Sequence, residues 1–269
     1  MRRYVKTVLS LILAASLIAA LYQGYDSWKG AQASAEAFQT AGITKKAPPE
    51  RPAEPAKEPS PEVPEPLPAE ASHLAEVDLA SLQAVNEDVV GWLEIPGTEL
   101  SYPVVQGTDN QYYLTHNWKK ERSGGGSVFL EQTNSRDLSG YHLIAYAHRM
   151  RNDTMFGTLK YYKDAEFCRE HPSIYLAGED GIRRYDIFSA HRASVTGLVY
   201  RLDLEESGLE EEFIRSCLEN SEIETGVIPE PGSQVLTLST CTGQGYDTRW
   251  VVQGVLACRY AWTEVPEEG

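Results

Sequence analysis

Val235-Leu-Thr-Leu-Ser-Thr-Cys241 is the stretch on which the fold of this chain turns. Apolar and polar residues alternate along it, the two-residue period of a half-buried strand, with Leu236 and Leu238 on one face. Val235, Thr237, Ser239 and Cys241 share the other face. A second strand reads from Arg249 to Tyr260. Thr242-Gly-Gln-Gly-Tyr-Asp-Thr248 between them carries two glycines and an aspartate, which is loop chemistry. If the strands pair as a hairpin, the end of the first meets the start of the second, and Cys241 lies beside Arg249. A fixed cation beside a thiol favours the nucleophilic thiolate. The same guanidinium can later donate hydrogen bonds to an oxyanion.

A cysteine nucleophile needs a proton-transfer partner, and the chain has six histidines. His148 ends the apolar strand pattern Leu143-Ile-Ala-Tyr-Ala-His148 and precedes a polar loop, so it is held at the rim of a sheet. His73 borders a proline-rich segment and His171 precedes Pro172 in a charged stretch; both read as solvated. His116, His142 and His191 lack a comparable strand end with a thiol available. His148 is the expected base.

Further strands are expected at Glu99–Val105, Ser127–Glu131, His142–Ala147, Ser173–Ala177 and Arg184–His191. Many short strands with intervening turns point to a closed or nearly closed β-barrel. Helices are expected at Ala75–Val90, Asp109–Thr115, Thr154–Tyr162 and Leu209–Asn220. In the last of these Leu209, Phe213 and Cys217 recur every fourth residue, with Ile214 and Leu218 alongside. Cys217 therefore reads as a buried thiol, as do Cys168 and Cys258. Export would leave room for a Cys168–Cys258 or Cys168–Cys217 disulfide.

The chain opens on basic Met1-Arg-Arg-Tyr-Val-Lys6 and an apolar run from Val8 to Leu21. That is either a secretory signal peptide or a short membrane anchor, with the positive end inside. Lys46 to Ala71 is rich in Pro, Glu and Ala and reads as an extended spacer of about 3.1 Å per residue where it is polyproline-like. The expected organisation is an anchor or signal-like segment at 1–24, a linker at 25–73 and one catalytic domain at 74–269. A formal net charge of −15 argues against nucleic acid as a partner. No phosphate-binding glycine loop, dinucleotide fingerprint or metal-ligand cluster is present in the sequence, and the four cysteines form no CxxC. Neither a metal nor another cofactor is expected.

Thr237-Leu-Ser-Thr-Cys241 with the following Arg249, and Tyr146-Ala-His148 upstream, resemble the sortase family of cysteine transpeptidases. Val85-Asn-Glu-Asp-Val-Val-Gly-Trp-Leu-Glu-Ile-Pro-Gly-Thr98, Tyr102-Pro-Val-Val-Gln-Gly107, Asp109-Asn-Gln-Tyr-Tyr-Leu-Thr-His-Asn117, Gly126-Ser-Val-Phe-Leu130 and Met155-Phe-Gly-Thr-Leu159 are similar to class B members. Ala147 departs from the glycine usual between the Tyr and the His, and removes no catalytic group. The resemblance runs from about Leu74 to the C-terminus. It implies a mainly β fold with peripheral helices: a closed barrel of about eight strands, an N-terminal helix, and a long helix before the catalytic strand.

The resemblance also implies His148, Cys241 and Arg249 as catalytic residues and Ser239, Thr196 and Tyr200 as substrate contacts. Its reaction is cleavage of a C-terminal sorting signal after Thr through a thioacyl-enzyme. Transfer to a peptidoglycan precursor or cross-bridge amine then anchors the surface protein. It tips the N-terminal segment toward an uncleaved, single-pass anchor, with a cytoplasmic N-terminus and an extracellular catalytic domain. Two alternatives stand beside this reading: a pilin-polymerising sortase and a non-catalytic, membrane-tethered peptide-binding module. The first lacks the Asp-Pro-Trp-like lid plug of pilin enzymes. The second leaves the Cys241, His148 and Arg249 set without a use.

Overall fold

In the computed structural model, which describes residues 67–241 and 247–262, Val235–Cys241 (β7) and Thr248–Tyr260 (β8) form an antiparallel pair, as their alternation requires. The expected anchor at 1–24, and the linker as far as residue 66, lie outside the described residues. No helix among the described residues is long and apolar enough to cross a membrane. The packed chain begins ahead of Leu74: Ala71 is fully buried and Leu67 lies against the core.

Six further strands complete the sheet: Val89–Glu94 (β1), Ser101–Val105 (β2), Val128–Leu130 (β3), His142–Tyr146 (β4), Ser173–Gly178 (β5) and Gly181–Ser194 (β6). They close into a barrel in the order β1-β2-β3-β4-β7-β8-β6-β5. Neighbours run antiparallel except at β2–β3 and β4–β7. A parallel pair needs a long crossover. The chain from 147 to 234 supplies it, carrying β5, β6 and three helices: Ala165–Glu170 (α2), Leu204–Ser207 (α3) and Glu210–Asn220 (α4); α1 is Leu79–Val85. Because β4 and β7 are parallel, their C-terminal ends emerge at the same rim.

The half-buried reading of β7 needs correction, since both of its faces are covered. Leu236 and Leu238 point into the barrel with Leu143, Ala145 and Val252. Val235 lies outside it, under α4, with Val251, Val255, Phe213, Ile214 and Cys217. Thr237 tolerates this burial because its hydroxyl is bonded twice. It meets His142 Nε2 at 2.8 Å and accepts from Gln253 Nε2 at 3.1 Å. The helix expected at Leu209–Asn220 is α4, with Leu209 as its N-cap residue and three glutamates in its first turn. Carboxylates there favour the positive end of the helix dipole.

Other expectations shift. Ala75–Val90 is not one helix: a 3-10 stretch at Ala69–Glu76 gives way to α1, and Val89 opens β1. Asp78 starts α1 afresh by accepting the Ser81 N–H at 3.0 Å. Gly91 permits the close approach of β1 to β5, since a Cβ there would lie 2.4 Å from the Ala177 carbonyl oxygen. The helices expected at Asp109–Thr115 and Thr154–Tyr162 are 3-10 turns at Tyr112–Leu114 and Thr158–Lys163. The Asp109 side chain accepts from both Gln111 and Tyr112 N–H at 2.7 Å, holding a turn where a helix would begin. Cys168, Cys217 and Cys258 are free thiols, with no disulfide among them. Burial pushes Cys217 up to about 12, so it is inert.

Candidate active site

Strand register assembles the site. Across β7–β8, Cys241 is paired with Arg249 and Ser239 with Val251. Across β4–β7, Tyr146 is paired with Ser239, and two residues further along each chain stand His148 and Cys241. Two hydrogen bonds keep the chain beside β7 past the end of β4. Ala147 N–H donates to the Ser239 carbonyl at 3.4 Å, and Thr240 Oγ1 donates to the Ala147 carbonyl at 2.8 Å. His148, Cys241 and Arg249 thus occupy one row across three adjacent strands at one rim. Cβ atoms of directly opposed residues lie about 4.5–5.5 Å apart. Residues 242–246, the turn of the hairpin, lie outside the described residues, as does the Cys241 side chain.

The His148 ring is half-buried, and its Nε2 lies 2.7 Å from the Leu114 carbonyl oxygen. A carbonyl can only accept, so Nε2 carries the hydrogen. In the neutral ring Nδ1 then carries the lone pair. Arg249 is partly exposed and donates from Nη1 to the Thr248 carbonyl at 3.0 Å. Its charge acts on Tyr146, one row behind. Burial and the Glu131 carboxylate push the Tyr146 hydroxyl well above its usual range, so it remains a donor.

Of the three expected substrate contacts, the structure brings two together. Tyr200 Oη lies 2.8 Å from Ser239 Oγ, joining the 3-10 turn at Leu198–Tyr200 to the row behind Cys241. Thr196 is exposed in the turn after β6, and its hydroxyl meets Ser194 Oγ at 3.1 Å within that turn. That turn still lies at the same rim, because Ala193 pairs with Arg249. Sequence reasoning missed the Leu114 carbonyl, which has no side-chain signature, and the carboxylate of Glu131, which binds Tyr146 Oη and Asn110 Nδ2.

The other histidines are occupied. His73 Nε2 meets the Glu94 carboxylate at 2.9 Å and His171 Nδ1 the Pro96 carbonyl at 2.8 Å, so neither is simply solvated. His142 and His191 are buried, and desolvation lowers each to about 4. No cluster of three or more metal-ligating side chains occurs among the described residues.

A sequence model described as the sortase domain matches residues 93–257, which span the whole of this row. Sortase B of Listeria monocytogenes is 33% identical over 186 residues, covering 68% of this chain and 75% of that protein. A Staphylococcus aureus sortase B–substrate complex superposes with a TM-score of 0.63 at 29% identity, covering 66% of this chain and 84% of the other. A sortase B complexed with triglycine superposes with a TM-score of 0.62 at 30% identity, covering 67% and 85% of the respective chains.

Proposed function

This chain belongs to the sortase family and, within it, to the class B cysteine transpeptidases; on that premise we propose that it cleaves a C-terminal sorting signal after Thr and passes the acyl group to a peptidoglycan amine. The observation that carries the proposal is the single row of His148, Cys241 and Arg249 at the shared rim of β4, β7 and β8. The Cys241 thiolate attacks the threonyl carbonyl, and Arg249 donates to the oxyanion of the tetrahedral intermediate. His148 in its protonated form gives a proton to the leaving amine, and the thioacyl-enzyme remains. The neutral ring then takes a proton from the incoming amine as that amine attacks the thioester. The thiolate leaves, and both groups return to their starting states.

Ser239 and Tyr200, joined to each other one row behind Cys241, are the substrate contacts best placed to hold the peptide. Thr196 stands apart from that pair, in the exposed turn at the same rim, and is the third proposed contact. The substrate-bound relative supports a peptide substrate, and the triglycine-bound relative supports an amine acceptor. The basic, apolar start and the proline-rich stretch after it support a single-pass anchor at 1–24 with a cytoplasmic N-terminus, a linker from 25 that ends before the packed residues at 67, and an extracellular catalytic domain after it. Partners are then surface proteins bearing sorting signals, a cell-wall precursor or cross-bridge, and the membrane.

The test is a panel of quenched fluorescent peptides carrying Asn-Pro-x-Thr-x, Leu-Pro-x-Thr-Gly and Ser-Pro-x-Thr-Gly, each with and without an added amine. Cleavage after Thr with an amine-ligated product is expected for one motif. Failure to cleave any of them, with no acyl adduct, would favour a peptide-binding module.

A further inference from the structure

The geometry points to Glu131 as a positioning residue for His148, acting through the loop that carries Leu114. Glu131 follows β3 directly and is 8% exposed. Its Oε2 accepts from Asn110 Nδ2 at 2.7 Å and from Tyr146 Oη at 2.9 Å. Among the described residues, Oε1 meets Thr133 N and Oγ1 in long contacts at 3.5 and 3.4 Å. One oxygen therefore gathers two separate elements.

The first element is the loop. Asn110 is held at both ends of its amide, because its Oδ1 also accepts the Gln132 N–H at 2.9 Å. From Asn110 the chain makes one 3-10 turn at Tyr112–Leu114, and its last residue offers its carbonyl to His148 Nε2. The second element is the end of β4, where Tyr146 lies two residues before His148. Glu131, Asn110, Leu114, His148 and Tyr146 form a closed ring of hydrogen bonds and short chain segments. The Tyr113 side chain ties the same loop elsewhere, to Asp88 and Asn86 beside β1. Among the described residues, Glu131 is the carboxylate joining the loop to β4. A buried carboxylate accepting two directed bonds sets geometry better than an apolar contact, which has no preferred angle.

The consequence is chemical. As long as Leu114 faces Nε2, that nitrogen keeps its hydrogen in both the neutral and the protonated ring, and only Nδ1 exchanges a proton. Releasing the loop frees the ring to adopt the other tautomer, which would place the lone pair on the wrong nitrogen. This inference rests on His148 as the proton-transfer group proposed above. Its test therefore reads the ring itself as well as turnover.

Full-length protein labelled with 15N-histidine reports the tautomer by NMR, with the His148 signals assigned by their loss in His148→Gln. The wild-type neutral ring is expected to carry its hydrogen on Nε2. Glu131→Ala is expected to mix the tautomers and lower kcat by up to about 100-fold, the scale of a misplaced catalytic group, with little change in KM. Glu131→Gln keeps a carbonyl oxygen able to accept both bonds, and is expected to restore both readouts. Wild-type kcat in Glu131→Ala, or a kcat loss with the Nε2–H tautomer intact, would overturn the proposal. Should Glu131→Ala not fold, Asn110→Ala cuts the loop side of the same clamp and is judged on the same two readouts. The tautomer measurement stands even if none of the peptides is a substrate.

Discussion

The two faces of β7 are packed against different materials. Inside the barrel, Leu236 and Leu238 meet Leu143, Ala145 and Val252, and the packing is almost wholly apolar. Outside, under α4, the layer is laced with polar groups. His142 donates from Nδ1 to the Arg201 carbonyl at 3.2 Å, and its Nε2 accepts from Thr237. Thr237 in turn accepts from Gln253, and Ser189 joins the Cys217 carbonyl at 2.8 Å to His191 Nδ1 at 3.0 Å. An apolar face stabilises without regard to direction, whereas hydrogen bonds fix angle and register. The barrel interior supplies stability. The outer layer holds the Tyr200 turn, through Arg201, over the row that carries Cys241.

The largest expected contrast is in stability at neutral pH. Leu238→Ala should cost about 2–5 kcal/mol, the usual toll of a buried leucine replaced by alanine, and by about the same amount at pH 7 and pH 5. Denaturant unfolding at the two pH values checks this, and a pH-dependent penalty would break the division between the faces.

Acid should act on the other face. His142 and His191 have folded-state values of about 4 against an ordinary 6.5. Below 6.5 the unfolded chain takes up these protons and the folded chain does not. The stability they contribute is therefore complete above 6.5 and is lost as pH falls toward 4. Going from pH 7 to pH 5 should cost about 2 kcal/mol for each histidine. The low carboxylates do not confuse this window, because Asp137 (about 2) and the also-depressed Asp203 are charged in both states above pH 5. Unfolding free energies that stay flat from pH 7 to pH 5 would contradict the assignment of neutral buried histidines.

Smallest is Tyr200→Phe, which removes one hydrogen bond to Ser239 and should cost about 1 kcal/mol. If that pair holds the peptide, KM should rise while kcat stays close to wild type. A fall in kcat alone would move Tyr200 from substrate binding into the chemistry.

What could be seen in the sequence follows the same physical divide. The β7–β8 hairpin was legible because alternation and a glycine loop are local signals, and so was the pairing of Cys241 with Arg249. The four-residue spacing of Leu209, Phe213 and Cys217 located α4 to within one residue. Strand β1 was not legible as a strand. Val89-Val-Gly-Trp-Leu93 is a run with no polar side chain to mark an alternation, it is buried on both faces, and it follows a helical pattern without a period of its own. The covering of β7's outer face was hidden as well, since Thr237 reads as solvent-facing until its two buried partners are known. At the rim, the position of His148 just past the end of β4, beside the strand of Cys241, was legible from its strand-end pattern. The carbonyl that orients it was not, because main-chain acceptors leave no trace in composition.

The most direct test of the central claim is intact-mass analysis of the enzyme mixed with a cleaved sorting peptide and no added amine. A covalent adduct equal to the peptide's acyl portion is expected, mapped to Cys241, discharged by an added amine and formed about 100- to 1000-fold more slowly in Arg249→Ala. An adduct on Cys168, Cys217 or Cys258, or peptide cleavage that survives Cys241→Ala, would contradict it.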